Sequence, residues 1–66
     1  MENPLNNGCK PNEHYGVSQS ARLLGVTRPT IYKYIKSGDL KVHLHKKMLT
    51  QRIQGSDIIK FYNSIS

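Results

Sequence analysis

The chain has 66 residues, one cysteine and a formal net charge of +6, from ten Lys and Arg against four Asp and Glu. A chain of this length has room for one small core but not for an enzyme cleft between two layers, and its single thiol excludes an intrachain disulfide. Because it contains no run of about 18 apolar residues and no signal-peptide pattern at its N-terminus, we expect a cytoplasmic protein.

Residues 1–14 are predicted to form a flexible N-terminal tail. This segment is rich in Pro, Asn and Gly, and Leu5 is almost its only apolar residue. Such a composition offers little apolar surface to bury and is typical of disordered or loosely docked ends. We therefore expect the folded domain to span residues 15–66.

A helix-turn-helix is predicted over residues 18–38. Ser18 is a suitable N-cap for a first helix over residues 19–24, and Gly25 can adopt the positive φ that ends that helix. Thr27 precedes the second helix, whose first turn tolerates a proline. Two short helices joined in this way are typical of proteins that insert the second helix into the major groove of DNA.

The second helix is predicted to have one apolar and one polar face. On a helical wheel the apolar side chains of residues 31, 34 and 35 point to the core, whereas Tyr32, Lys33 and Lys36 lie on the opposite side. A recognition helix needs this polarity because its donors must face the DNA while its back packs on the domain. From this helix and its N-cap we expect DNA contacts by Thr27, Arg28, Thr30, Tyr32, Lys33 and Lys36.

These residues suit different parts of the DNA. Arg28 can bind a guanine edge with two hydrogen bonds, whereas Lys33 and Lys36 suit phosphate oxygens, which need little directional preference. The alternatives are that Arg28 pairs with a neighbouring acid, that the two lysines are solvated charges, and that Tyr32 covers the edge of the core.

A two-stranded hairpin, which we call the wing, is predicted over residues 40–53. Apolar and polar residues alternate over residues 40–44, as in a half-buried strand, and residues 49–53 form the returning strand. His45, Lys46 and Lys47 lie at the tip, where we expect contacts to phosphates or the minor groove. The alternative is a basic turn that discourages edge pairing.

A last helix over residues 57–64 is predicted after Gly55. Ser56 is a suitable N-cap, and Asp57 is favourably placed beside the positive end of the helix dipole. The apolar residues 58, 59, 61, 62 and 65 are expected to pack on the core. The order helix, helix, hairpin, helix predicts an α+β winged helix-turn-helix.

The positive charge is concentrated in one part of the chain. Seven of the ten basic residues lie between Arg28 and Arg52, where Asp39 is the only acidic residue. A concentrated basic surface attracts phosphates and gains free energy from counterion release. The charge distribution favours a nucleic acid as partner, the alternative being a solvated face that aids solubility.

Neither catalysis nor a bound cofactor is expected. The four carboxylates are scattered along the chain, and no nucleophile has a recognisable base beside it. His43 and His45 have a spacing that can bind a metal, but two ligands are too few for a structural site. We therefore expect no enzyme activity, no cofactor and no metal.

The run VSQSARLLGVTRPTIYKYIKSGDLKV, followed later by GSDIIKFYNS, resembles the small excisionase-type proteins, which carry a MerR-like winged helix-turn-helix. The positions that match the pattern of that family are Ala21, Leu24, Gly25, Val26, Thr27, Thr30, Ile31, Tyr32, Lys36, Gly38, Leu40, Ser56 and Asp57. Two departures concern the wing: Lys41 stands where the family has proline, and the segment between the matched Leu40 and Ser56 is about two residues longer.

The resemblance implies a recombination directionality factor that binds and bends DNA beside an attachment site. Such a factor helps a tyrosine-type integrase to excise a phage or mobile element from the chromosome of a bacterial host, so we expect association with the nucleoid. The alternatives with the same fold are a small transcriptional regulator, either repressor or activator, and the DNA-binding domain of a phage terminase small subunit. A protein-interaction module is the alternative from another class. We expect a monomer in solution that binds neighbouring DNA sites.

Overall fold

The computed structural model describes residues 1–44 and 51–65. Over these residues the chain forms one 3₁₀ helix, three α-helices and three strands. In chain order they are the 3₁₀ helix Pro4–Asn7, β1 His14–Tyr15, α1 Val17–Leu24, α2 Arg28–Ser37, β2 His43–Leu44, β3 Gln51–Gln54 and α3 Gly55–Ile65. The predicted α+β winged helix-turn-helix is confirmed.

Helix α1 begins two residues earlier than predicted, with Gly16 rather than Ser18 as its N-cap. The N–H of Gly16 donates to Gln19 Oε1 at 3.0 Å, and the hydroxyl of the buried Ser20 donates to the Gly16 carbonyl at 2.8 Å. The glutamine three residues into the helix therefore does the capping, and the prediction of a serine cap was wrong.

The turn between α1 and α2 has the predicted glycine. Gly25 has φ 67° and ψ 34°, in the left-handed region. Its N–H donates to Arg22 O at 3.2 Å, and the N–H of Val26 donates to Ala21 O at 2.9 Å. These bonds pair carbonyls that have no partner in the last turn of α1. The chain then reverses over three residues before α2 begins.

The core lies where α1, α2, β3 and α3 meet. Each contributes a side chain with 0% exposure, namely Leu24, Ile31, Ile53 and Ile58. At α3, Phe61 packs its ring edge-on against Tyr34 of α2, with ring centroids 4.7 Å apart. Burial of side chains of this size contributes about 1.5–3 kcal/mol each, so the core fixes how α2 is held.

The end of α3 departs from the prediction. Ile65 was expected on the apolar face, but 47% of its surface is exposed. The helix also starts at Gly55, so Ser56 lies inside its first turn rather than at the N-cap. The first amides of α3 instead donate to backbone carbonyls: Gly55 N–H to Glu13 O at 2.7 Å, and Ser56 N–H to Pro11 O at 3.0 Å.

The sheet has the strand order β1-β3-β2, with β3 antiparallel to both neighbours. The predicted pairing of the wing strands is confirmed, with His43 opposite Arg52. The first strand of the wing is shorter than expected: β2 covers only His43–Leu44. Leu40 is buried, as predicted, but lies outside this strand. Strand β1 was not predicted, and it pairs Tyr15 with Ile53 on the other side of β3. Residues 45–50, which include the predicted wing tip and the start of the predicted returning strand, lie outside the described residues.

The N-terminal segment is packed on the domain, where the sequence predicted a flexible tail. Pro4 and Cys9 are buried, and Cys9 belongs to the core cluster at 5% exposure. Gly8, with φ 87°, ends the 3₁₀ helix and returns the chain toward α3. Single apolar residues among Asn and Pro have no helical or strand periodicity, so the sequence carried no signal for this packing.

Candidate nucleic-acid interface

Helix α2 has the predicted polarity. Ile31 is fully buried, whereas Tyr32 on the adjoining face is 50% exposed, and Lys33 and Lys36 are exposed. The helix begins after Thr27, whose extended backbone has φ −85° and ψ 160°. The fold thus presents one phenolic ring and two ammonium groups on the outer face of a helix whose back is fixed in the core.

The start of α2 carries Arg28 between two hydroxyl side chains. Thr27 Oγ1 and Thr30 Oγ1 lie 3.0 Å apart and hydrogen-bond to each other. Since the accepting hydroxyl keeps its own proton, the pair can still donate one hydrogen bond outward. Arg28 and Thr27 are exposed and Thr30 is half-buried. All three lie at the end of α2 that a helix-turn-helix directs at base edges.

A cleft of about 320 Å³ separates α1, α2 and the wing strand β3. Arg28 and Tyr32 line it from α2, and Gln51 and Arg52 line it from β3. The half-buried Arg52 reaches toward the start of α1, where its Nη1 lies 3.7 Å from the position that a Cβ on Gly16 would occupy. The cleft is thus lined by an arginine from the wing strand and an arginine from α2.

Sequence reasoning missed Gln51 and Arg52 as site residues. The available signal was the strand alternation: because Ile53 points into the core, Arg52 must point to the opposite face. What the alternation does not give is the identity of the helix beside that face. A second depression, lined by Arg22, Val26 and Arg28, lies against α1. Arg28 therefore lines two depressions, each of which contains one other arginine.

The cations of α2 are free to pair with a ligand. Among the described residues the one carboxylate within ion-pairing distance of a basic side chain is that of Asp57, whose Oδ2 lies 3.7 Å from His43 Nε2, and none lies within that distance of Arg28, Lys33 or Lys36. Among the described residues, Arg28 therefore does not pair with a neighbouring acid, which was the alternative to a DNA contact. Concentrated, unneutralised charge of this kind attracts polyanions.

The two described histidines and the cysteine make contacts within the fold. His14 and His43 meet edge to face at 6.4 Å between ring centroids, and the described residues contain no group of three side chains able to hold a metal ion. Cys9 Sγ lies 3.7 Å from Gly55 O, and burial raises the pKa of its thiol. A buried, protonated thiol is a poor nucleophile. His45 lies outside the described residues.

Fold and surface together define a winged helix-turn-helix whose second helix, α2, has an exposed basic face. The family model of the helix-turn-helix domain matches residues 15–66. Since the match covers most of the chain, the protein belongs to this family, which includes excisionase-like DNA-binding proteins. No curated protein and no solved structure matches this chain. None of the described helices has the length and apolar character that crossing a membrane requires.

Proposed function

We propose that this protein is a recombination directionality factor. It binds and bends double-stranded DNA beside an attachment site and promotes excision of a phage or mobile element by a tyrosine-type integrase. The observation that carries the DNA-binding part is the exposed, unneutralised face of α2, with Arg28 and Arg52 in one cleft. The excision part is supported by the motif pattern of residues 15–64 and by membership of a family that includes excisionase-like proteins.

In this proposal α2 lies in the major groove. Arg28 reads a guanine with two hydrogen bonds, and Thr27 and Thr30 bind a phosphate or a base edge. Tyr32 packs its exposed ring on a thymine methyl or donates its hydroxyl to a phosphate. Half of the Tyr32 surface is exposed, although the neighbouring Ile31 is fully buried. This exposure supports a DNA contact rather than the alternative that Tyr32 covers the edge of the core.

Phosphate contacts flank the groove. Lys33 and Lys36 bind the backbone from α2, and Arg52 binds it from the wing strand, because it lines the same cleft as Arg28. The proposal includes His45, Lys46 and Lys47 at the wing tip. Contacts from two elements on both sides of one groove favour a curved duplex, since bending brings more phosphates within reach.

Binding is tested by fluorescence anisotropy with DNA that flanks the protein's own gene and with a scrambled duplex of equal length. We expect salt-sensitive binding that prefers the flanking DNA. Arg28→Ala should cost about 1–3 kcal/mol and reduce the preference, as for a residue that reads a base. Lys60→Ala is the control, because it removes one exposed cation from α3 that lines neither cleft.

Equal weakening on both duplexes by Arg28→Ala would make Arg28 a phosphate contact, and the absence of any preference in the wild type would exclude sequence-specific binding. Excision is tested separately, with the integrase encoded nearest the gene and a DNA that carries both attachment sites. We expect excision to need the protein and bending to appear in a circular-permutation gel shift. Binding without any effect on excision, together with altered transcription from the site, would favour a transcriptional regulator.

A further inference from the structure

Residues 1–13, which we call the N-terminal strap, bind the end of α1. The Glu2 N–H donates to Leu24 O at 2.8 Å, and Asn7 Nδ2 donates to Leu23 O at 2.9 Å. The carbonyls in the last turn of a helix have no partner within the helix. Asn7 Nδ2 also donates to Glu2 Oε1 at 3.1 Å, which links the two residues of the strap that bind α1. The strap therefore donates hydrogen bonds to the C-terminal end of α1, next to the turn that leads into α2.

The same strap binds the start of α3. The Gly55 and Ser56 amides, which a helix leaves without internal acceptors, donate to the carbonyls of Glu13 and Pro11. At Gly55 the approach is so close that an added Cβ would overlap the Lys10 carbonyl. A glycine thus allows backbone to pack directly on backbone.

Two buried side chains hold the middle of the strap. Pro4 is fully buried, and Cys9 lies in the core cluster with its Sγ 3.7 Å from Gly55 O. The family match begins at residue 15, so the strap lies outside the helix-turn-helix domain that defines the family. Its contacts are nevertheless those of a structural part of the domain.

We propose that the N-terminal strap is a positioning element of the DNA-binding unit. By pairing the last carbonyls of α1 and the first amides of α3, it fixes the turn that leads into α2 relative to α3. DNA affinity then depends on residues that do not themselves bind DNA. This dependence rests on the proposed function, whereas the structural role of the strap does not.

The structural role is tested on the wild-type chain by amide hydrogen exchange. The Glu2 and Gly55 amides are hydrogen-bonded, whereas none of the described residues accepts a hydrogen bond from the amide of Asn3. We expect protection factors for Glu2 and Gly55 at least tenfold above that of Asn3. A Glu2 amide that exchanges as fast as that of Asn3 would overturn the strap.

The positioning role is tested with Asn7→Ala, and Asn6→Ala is the matched control. Both remove one exposed side-chain amide, but of these two side chains only that of Asn7 donates to the end of α1. Asn7→Ala should raise the unfolding equilibrium constant at least about 2–10-fold, the range for losing the bond to Leu23 O alone. Well below its Tm, where the variant is fully folded, its Kd for DNA should rise at least about threefold.

The slope of log K against log salt should stay unchanged in Asn7→Ala, because no phosphate contact is lost. Equal effects of Asn6→Ala and Asn7→Ala on unfolding would overturn the strap, and lower stability with unchanged Kd would overturn its positioning role. If the wild type itself shows no specific DNA binding, the proposed function fails, and hydrogen exchange and unfolding alone decide whether the strap exists.

Discussion

Gly55→Ala is the substitution that most directly perturbs the junction between the N-terminal strap and α3. Gly55 is buried at the first position of the helix, and a Cβ there would overlap the backbone carbonyl of Lys10. Backbone cannot rotate aside as a side-chain end can. Alanine at residue 55 must therefore displace residues 10–13, which breaks the bonds from Gly55 and Ser56 to the strap carbonyls.

The two contributions to the free energy of unfolding have opposite signs. Alanine favours a helix over glycine by at most about 1 kcal/mol, and by less in the first turn. Overpacking costs about 1–3 kcal/mol, and the two lost hydrogen bonds cost about 0.5–1.5 kcal/mol each. We expect a net loss of about 1–6 kcal/mol, which for a domain of this size lowers the Tm by at least about 4 °C.

The assay is urea unfolding followed by far-ultraviolet circular dichroism, with Gly16→Ala as the control. A Cβ on Gly16 would lie at ordinary contact distance, 3.7 Å from Arg52 Nη1 and 3.8 Å from Gln19 Oε1. That change should cost less than about 1 kcal/mol. If Gly55→Ala is at least as stable as the wild type, the higher helix propensity of alanine outweighs any steric cost. The Lys10 carbonyl then does not pack on Gly55.

Two further predictions concern the thiol and the recognition helix. Because burial raises the pKa of Cys9, the unfolded chain loses this proton first; the thiol's stabilising contribution is complete below the ordinary pKa of 9.0 and declines as the pH rises through the folded value. Urea unfolding at pH 7 and pH 10 should show a smaller decline for Cys9→Ala, and equal declines would contradict this. Replacing both Lys33 and Lys36 by Ala should reduce the salt slope of DNA binding by about 2, measured by anisotropy, with Lys60→Ala leaving it unchanged; an unreduced slope would place these lysines away from phosphates.

The predictable part of the candidate site is the part that repeats along one helix. Because a helix has 3.6 residues per turn, Tyr32 and Lys33 point away from the side on which Ile31 lies. The burial of one face and the exposure of the other therefore follow from the spacing alone. Arg52 needed more than spacing. Alternation in β3 gives the face on which it lies, but the cleft that it shares with Arg28 depends on how β3 packs against the two helices.

The sequence alone determined the helix-turn-helix, because glycines at 25 and 38 and the apolar spacing between them act locally. The winged order and the basic face followed from the same short-range patterns. Only the tertiary structure determined that residues 1–14 pack on the domain and that β1 pairs with β3. Those depend on carbonyls and amides left free at the ends of distant helices and strands, and backbone groups of that kind have no signature in side-chain sequence.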